Sequence, residues 1–397
     1  MSHPDFTITG RVIDTAGIID YARIEVKGSC ISSVTPLPST LPVASVPIVV
    51  PGFVDLHNHG GDGGAFPTGD ENSCRRAALF HRRHGTSTLL ASLVSANEQD
   101  IVHQLDVLTP LADEGLIAGV HLEGPFVNVH RCGAQNPDRI IPADAGMFAR
   151  VVSRHPGLVR QITLAPESPG AQDCLAVCAD HNIIVSIGHT DADYDTTMAF
   201  VEMAVDRTIT VTATHLFNAM PPLHHRAPGA AAAMIAAAKK FPGRVFVELI
   251  ADGVHLHDGT VGMVTDAVPE SAFFITDAME AAGKPDGSYV LGALSVTVDG
   301  GVARLTTQDG SAGAIAGGTS TLFDQFVRAV RRGLDPVAAV RFTSATAGRV
   351  LLGDGPSSSV MGSSCMSGRI TANAPADFII MGPDFDLREV YIGGHKV

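Results

Sequence analysis

The sequence predicts a (β/α)8 barrel joined to a small β-sandwich domain that both chain ends build. Two observations carry the barrel. Eight near-continuous apolar runs read as strands: FVDLH, STLLASLV, IAGVHLEG, ITLAPE, IIVSIGH, ITVTATH, FVELIADG and FFITDA. Helix-like stretches such as SCRRAALFHRRH and AAAAMIAAAKKF separate them, the alternation expected of a parallel sheet covered by helices. The third observation concerns the ends. Before residue 51 and again near the C-terminus the strands are short and divided by turns, which is antiparallel rather than barrel patterning.

In chain order, FTITGRVI, YARIEVKG and CISSVTPL form the N-terminal β segment, and Pro51-Gly52 punctuates the entry to the first buried strand. After Met279, GSYVLGALSVTVDGGVARL reads as a β insertion, while TLFDQFVRAVRRGL and DPVAAVRFTSATAGRVL read as helices. GSSCMSGRITANAPADFIIMGPDF then returns to short strands, ending in VYIGGHKV, with PSSSVMGSSCMSG as a Ser/Gly-rich loop. The expected organisation is residues 1–50 and 356–397 for the β-sandwich and 51–355 for the barrel. A barrel of ~250 residues plus a smaller domain fits 397 residues.

Composition narrows the function. Hydrophobic residues make up 45% and charged residues 17%, enough for an ample core. A net charge of −14 argues against nucleic-acid or anionic-membrane partners, which select basic surfaces, but leaves room for a small anionic substrate. MSHPDFTITG has neither the basic nor the apolar segment of a signal peptide, and no apolar run approaches the ~18 residues of a membrane span. The six cysteines show no C-x2-C pair, and Cys174 and Cys178 share a helix face. A reducing cytoplasm is the expected location.

The chemistry sits at the far ends of the strands. His57 and His59 close the first, Glu123 the third, His189 the fifth, His215 the sixth and Asp277 the eighth. Imidazoles and carboxylates are ligands of a catalytic divalent ion, and a parallel barrel gathers its C-terminal strand ends at one mouth. Each motif is weak alone; their shared placement at strand ends is what points to a metal-dependent hydrolase. His57 and His59 fall on one side of their strand because side chains alternate. Glu123 can give one oxygen to each of two ions, with His189 and His215 completing the shell of the second ion. Asp55 and His121 lie deeper on the same faces and read as structural. Asp277 is the candidate acid/base: beside a metal-bound water it can take a proton and return it to a leaving amine. A pure ligand role for Asp277 is the alternative.

These residues resemble the amidohydrolase superfamily. Within it, VPGFVDLHNHGGDGG, HLEGPF, GHTDAD, THLFNAMPPL, ADGVHLH, ITDAM and AGGTSTL resemble the family of N-acetylglucosamine-6-phosphate deacetylases, over nearly the whole chain. Many superfamily relatives bridge their ions with a carboxylated lysine on strand four; strand four here ends LAPES, and Glu123 takes that place. The resemblance implies hydrolysis of the acetamide of N-acetylglucosamine 6-phosphate to glucosamine 6-phosphate and acetate. It implies Glu123, His189 and His215 as main ligands and Asp277 as acid/base. H-x-H at the first strand implies two ions per subunit, zinc foremost, with iron, manganese or cobalt as alternatives. Asn218 and Ala219 are implied phosphate or sugar contacts, and His255 a substrate-binding histidine. Arg226 is implied to reach the substrate phosphate from the partner subunit of a homodimer. Gln135 stands where some single-metal members carry a histidine that polarises the acetyl oxygen, so it either donates there or contacts the sugar. Cys132 shares that loop, as a substrate contact or an ordinary thiol.

Rival readings are a deacetylase for another amino-sugar phosphate, a cyclic-amide hydrolase or deaminase, and a non-catalytic sugar-phosphate sensor. The H-x-E plus P-C-x-x-C pattern of nucleobase deaminases is absent from the sequence.

Overall fold

The computed structural model describes residues 5–38, 42, 45–307, 311–352 and 368–397. The PSSSVMGSSCMSG loop, apart from its last residue, lies outside them, as does the expected junction at 355/356. Eight strands form one parallel sheet in chain order: Phe53–Asn58, Thr86–Leu93, Val120–Glu123, Val159–Leu164, Ile184–Ile187, Val211–Ala213, Val245–Leu249 and Ala272–Phe274. The eighth returns to the first through a parallel bridge between Asn58 and Ala278 and the bond from Asp277 N to His57 O at 2.9 Å. The sheet is therefore closed. These are the eight apolar runs of the sequence, and nearly every residue in them is buried.

Helices follow most strands, and their starts are encoded locally. Asn97, Asp144 and Asp193 accept from the backbone N–H of Asp100, Met147 and Thr196, satisfying donors that a first helical turn leaves open. Cys174 and Cys178 are buried on the helix Ala171–His181. No helix among the described residues is long and apolar enough to cross a membrane.

Contacts divide the chain into two compact units: Met1–Asp55 with Phe80–Thr88 and Thr321–Val397, and Leu56–Leu79 with Leu89–Ser320. In the first, both termini join one seven-stranded, mostly antiparallel sheet. Its order is His395–Lys396, Leu387–Ile392, Phe378–Met381, Ile48–Pro51, Phe6–Asp14, Gly17–Lys27, Cys30–Pro36. Val12, Ile24, Val26, Val49 and Phe378 form its core. Asp14 ties the termini together by accepting from Ile370 N at 3.0 Å. In the second unit, the β insertion is a four-stranded antiparallel sheet, Gly287–Leu291, Leu294–Asp299, Val302–Thr306 and Ala312–Ile315.

One helix departs from expectation. DPVAAVRFTSATAGRVL is helical over Pro336–Val340 and Thr346–Leu352, with a π-turn over Arg341–Ala345 between them. The Thr343 hydroxyl donates to Ala339 O at 2.8 Å, a side-chain bond that competes with the regular backbone ladder. Apolar periodicity cannot report such a bulge, because the buried face continues through it.

Candidate metal centre

The barrel interior is polar near its mouth. Ser92, His121, Thr163, Ser186, Thr212, Thr214 and Glu248 are all fully buried. They satisfy one another across strands: His121 reaches Ser92 Oγ at 3.0 Å and Thr163 Oγ1 at 2.8 Å, and Thr163 and Thr214 share a 2.8 Å bond. Both ring nitrogens of His121 are thereby committed. Burial, with the charge of His57 beside it, holds His121 well below its ordinary pKa, so it is a neutral structural ring.

Above this layer the chain leaves the ladder. His189, His215 and Asp277 lie two or three residues past their strands, each with positive φ (48°, 27° and 47°). Such backbone costs a residue with a Cβ ~1–2 kcal/mol, and here it swings three side chains inward over the barrel. Neighbouring glycines allow the turns. A Cβ on Gly188 would stand 2.5 Å from Thr214 Cβ, and one on Gly318 only 2.4 Å from Thr276 O. Gly318 N also donates to Asp277 O at 2.6 Å, so the AGGTSTL motif braces the Asp277 turn. Gly318→Ala is expected to cost about 1–3 kcal/mol of stability by overpacking. It should also lower kcat by displacing Asp277 while leaving metal content unchanged; thermal unfolding and kinetics on the same preparation check this.

The result is a compact donor cluster. Glu123 Oε1 stands 3.0 Å from His189 Nε2, 2.9 Å from His215 Nε2 and 3.5 Å from His57 Nε2, and Oε2 stands 3.2 Å from His59 Nε2. Asp277 Oδ1 lies 3.3 Å from Nε2 of both His57 and His59. Two groups could each hold an ion, His57/His59/Glu123 and Glu123/His189/His215, with Glu123 common to both.

Tautomers show that the donors fit a cation. His59 Nδ1 faces the Ser92 carbonyl at 3.1 Å, His189 Nδ1 the Arg131 carbonyl at 2.8 Å, and His57 Nδ1 the Glu248 carboxylate at 3.3 Å. Those acceptors require the proton on Nδ1, so in the neutral ring each Nε2 presents a lone pair. Yet His57 Nε2 is 3.1 Å from His59 Nε2, and His189 Nε2 is 3.2 Å from His215 Nε2. The His57 and His59 lone pairs facing each other and a carboxylate demand positive charge between them, while His215 Nδ1 has no acceptor among the described residues to fix its proton. Without metal, protons meet that demand. Burial alone would push His57 and His59 down, but Glu123 and Asp277 outweigh it and hold both above their ordinary values. Burial would likewise raise Glu123 and Asp277; the charge of His57 overrides it and holds both carboxyls below the usual range.

A cavity of about 260 Å³ opens onto the cluster, lined by His59, Glu123, Gln135, His189, His215 and Asp277. Asn218, Ala219 and His255 line it as well, and Leu291 and Ile315 of the β insertion add apolar wall. His255 Nδ1 bonds Asp252 Oδ2 at 2.8 Å; burial pushes this imidazole down but Asp252 prevails and raises it, and in the protonated ring Nε2 is a donor. Gln135 is held from both ends of its amide. Its amide nitrogen donates to Glu123 Oε2 at 2.6 Å and its oxygen accepts from Ser95 N at 2.6 Å. Arg226 is exposed on the loop after the sixth strand and is not among the residues lining the cavity. Cys132 is half-buried, its carbonyl accepting from Gln135 N at 2.8 Å.

Glu167 of LAPES organises the rim. It accepts from Asn128 Nδ2 at 2.8 Å, from Asp191 N at 2.6 Å and from the Thr190 hydroxyl, tying the loops that flank His189. Sequence reasoning passed over Glu167 and Glu248 alike. For Glu248 a signal existed: it is the lone acid within the apolar run VFVEL.

The model of the amidohydrolase family matches residues 48–397. The chain belongs to that family. Within it, the chain is 31% identical over 359 residues to the N-acetylglucosamine-6-phosphate deacetylase of Bos taurus, covering 88% of this chain and 83% of that one. It is 28% identical to an N-acetylgalactosamine-6-phosphate deacetylase of Escherichia coli O157:H7, covering 87% and 89%. Among solved structures, the N-acetyl-D-glucosamine-6-phosphate deacetylase of Mycobacterium smegmatis, in complex with N-acetyl-D-glucosamine-6-phosphate, superposes with a TM-score of 0.87 at 34% identity over 99% of both chains.

Proposed function

We propose that this protein hydrolyses the acetamide of N-acetylglucosamine 6-phosphate, releasing glucosamine 6-phosphate and acetate. The observation that carries the reading is the Glu123 carboxylate shared by two histidine pairs, with Asp277 beside them at the wall of one cavity. Likeness to the bovine and mycobacterial enzymes supplies the substrate class.

His57, His59, Glu123, His189, His215 and Asp277 would hold two divalent ions, zinc foremost. Ions held there would lower the pKa of water and polarise the acetyl carbonyl. Asp277 takes a proton from the water as its oxygen bonds to the acetyl carbon. The same carboxyl then gives that proton to the amine nitrogen as the C–N bond breaks, so that neutral amine and acetic acid leave, the acid ionising to acetate by giving its proton to solvent. His255 donates from Nε2 to the sugar, and Asn218 and Ala219 line the side that receives it. The Gln135 amide, spent on Glu123, is a weaker candidate for the acetyl oxygen than Asp277 is for the proton.

Arg226 is assigned to the substrate phosphate in trans, within a homodimer. A guanidinium fork suits phosphate, and Arg226 is an exposed cation outside its own chain's cavity lining. Leu223 and Val254, on the loops after the sixth and seventh strands, and Met263, on the helix Asp258–Ala267, are each more than 40% exposed and would be covered by a second copy. Arg226→Ala is expected to raise KM for the phosphorylated sugar at least ~10-fold with kcat little changed, since the phosphate is remote from the bond cut. Steady-state kinetics checks this. Mixing these subunits with Asp277→Asn subunits should restore activity at low substrate; heterodimers without rescue would remove the trans assignment. Free thiols at Cys74, Cys174 and Cys178 agree with a cytoplasmic location.

Acetate and free amine should appear with N-acetylglucosamine 6-phosphate and far less with the unphosphorylated sugar. N-acetylgalactosamine 6-phosphate is the necessary comparison, given the Escherichia coli relative. No turnover of either phosphate by metal-loaded protein would reject the reading.

A further inference from the structure

We infer that Glu248 is a positioning residue that anchors the ion of the His57/His59 pair; this rests on the two-ion reading above. Glu248 is fully buried on the seventh strand and lies outside the donor cluster. Its Oε2 faces His57 Nδ1 at 3.3 Å and accepts from the backbone N–H of His215 at 3.1 Å. Its Oε1 accepts from Gln161 Nε2 at 2.8 Å and Thr212 Oγ1 at 3.4 Å. One oxygen therefore touches a side chain of one seat and the backbone of the other.

Three consequences follow from that geometry. The carboxylate fixes the His57 proton on Nδ1, so Nε2 offers its lone pair to the cluster. Its charge makes that imidazole a stronger donor, as a neutral acceptor would not. It also holds the His215 turn, whose φ is positive and would otherwise relax. A buried carboxylate with four partners is costly to desolvate, and its partners converge on the metal seats rather than on the apolar packing around the barrel. His59, by contrast, rests on the neutral Ser92 carbonyl. The charge-dependent partner of the pair is His57 alone.

Glu248→Gln keeps the volume and removes the charge. Calorimetric titration of the metal-free protein with zinc should show the second ion bound at least ~10-fold more weakly, the usual scale for losing such a partner. The first ion should stay within about threefold. Because a buried amide can prevent folding, Glu248→Asp serves as the second variant: it keeps the charge but draws back from His57 and the His215 backbone alike, and should weaken the ion of the His57/His59 pair more than the other. Two ions bound as tightly as in the wild type, by either folded variant, would overturn the assignment. So would equal weakening of both ions, which marks a merely structural role. A wild type that takes up one ion at saturating zinc rejects the two-ion reading instead, and failure of both variants to fold overturns the positioning role in favour of a structural one.

Discussion

Asp277→Asn is expected to bind substrate and metal nearly normally while kcat falls at least ~10²-fold, the scale of a general acid/base. The metal should stay because Glu123 and four histidines remain, and the amide oxygen of Asn can still face His57 and His59, as Asp277 Oδ1 does at 3.3 Å. What the amide cannot do is accept a proton from water and return it to the amine. The carboxylate also suits the task by position. It lines the cavity, whereas Glu248 is wholly enclosed beneath the cluster. Kinetics at saturating substrate, with elemental analysis of the same sample, is the measurement. A loss of less than tenfold with metal intact would take Asp277 out of the proton transfer and leave it as a ligand.

Legibility in the sequence followed physical scale. The eight barrel strands are readable because parallel strands buried on both faces need continuous apolar runs, and those runs end where His57, Glu123, His189, His215 and Asp277 begin. Their convergence follows from the barrel, since strand ends meet at one mouth. Other features depend on contacts that no local pattern encodes. Gln135 reads as a loop amide, and its bonds to Ser95 N and Glu123 Oε2, 40 and 12 residues away, leave no mark in the local sequence. Glu248 interrupts VFVEL with one acid, and its partners come from other strands, His57 at 191 residues away and Gln161 at 87. The positive φ at His189, His215 and Asp277 is foreshadowed only by the glycines near them, because a glycine signals permission for a turn and not its direction.

Glu123→Gln is expected to have the largest effect of any single change: loss of nearly all bound metal and of activity by more than ~10³-fold. Each other residue of the two groups that could hold an ion belongs to one of them, whereas Glu123 is common to both. Its Oε1 lies within 3.0 Å of two imidazole nitrogens and its Oε2 at 3.2 Å from a third. An amide in this place must turn an NH2 toward one seat, where a donor hydrogen opposes any cation. It also removes the negative charge that both seats share. The Gln135 amide, which now donates to Oε2 at 2.6 Å, would then face either a second NH2 or a neutral oxygen. Loss of the ions should therefore not resemble the selective loss expected from Glu248→Gln. Both calorimetric steps should vanish together, and elemental analysis should find well under one ion per chain. Retention of one full ion by a folded Glu123→Gln protein would show that the histidines suffice for one seat, and the shared-carboxylate account of the centre would fail.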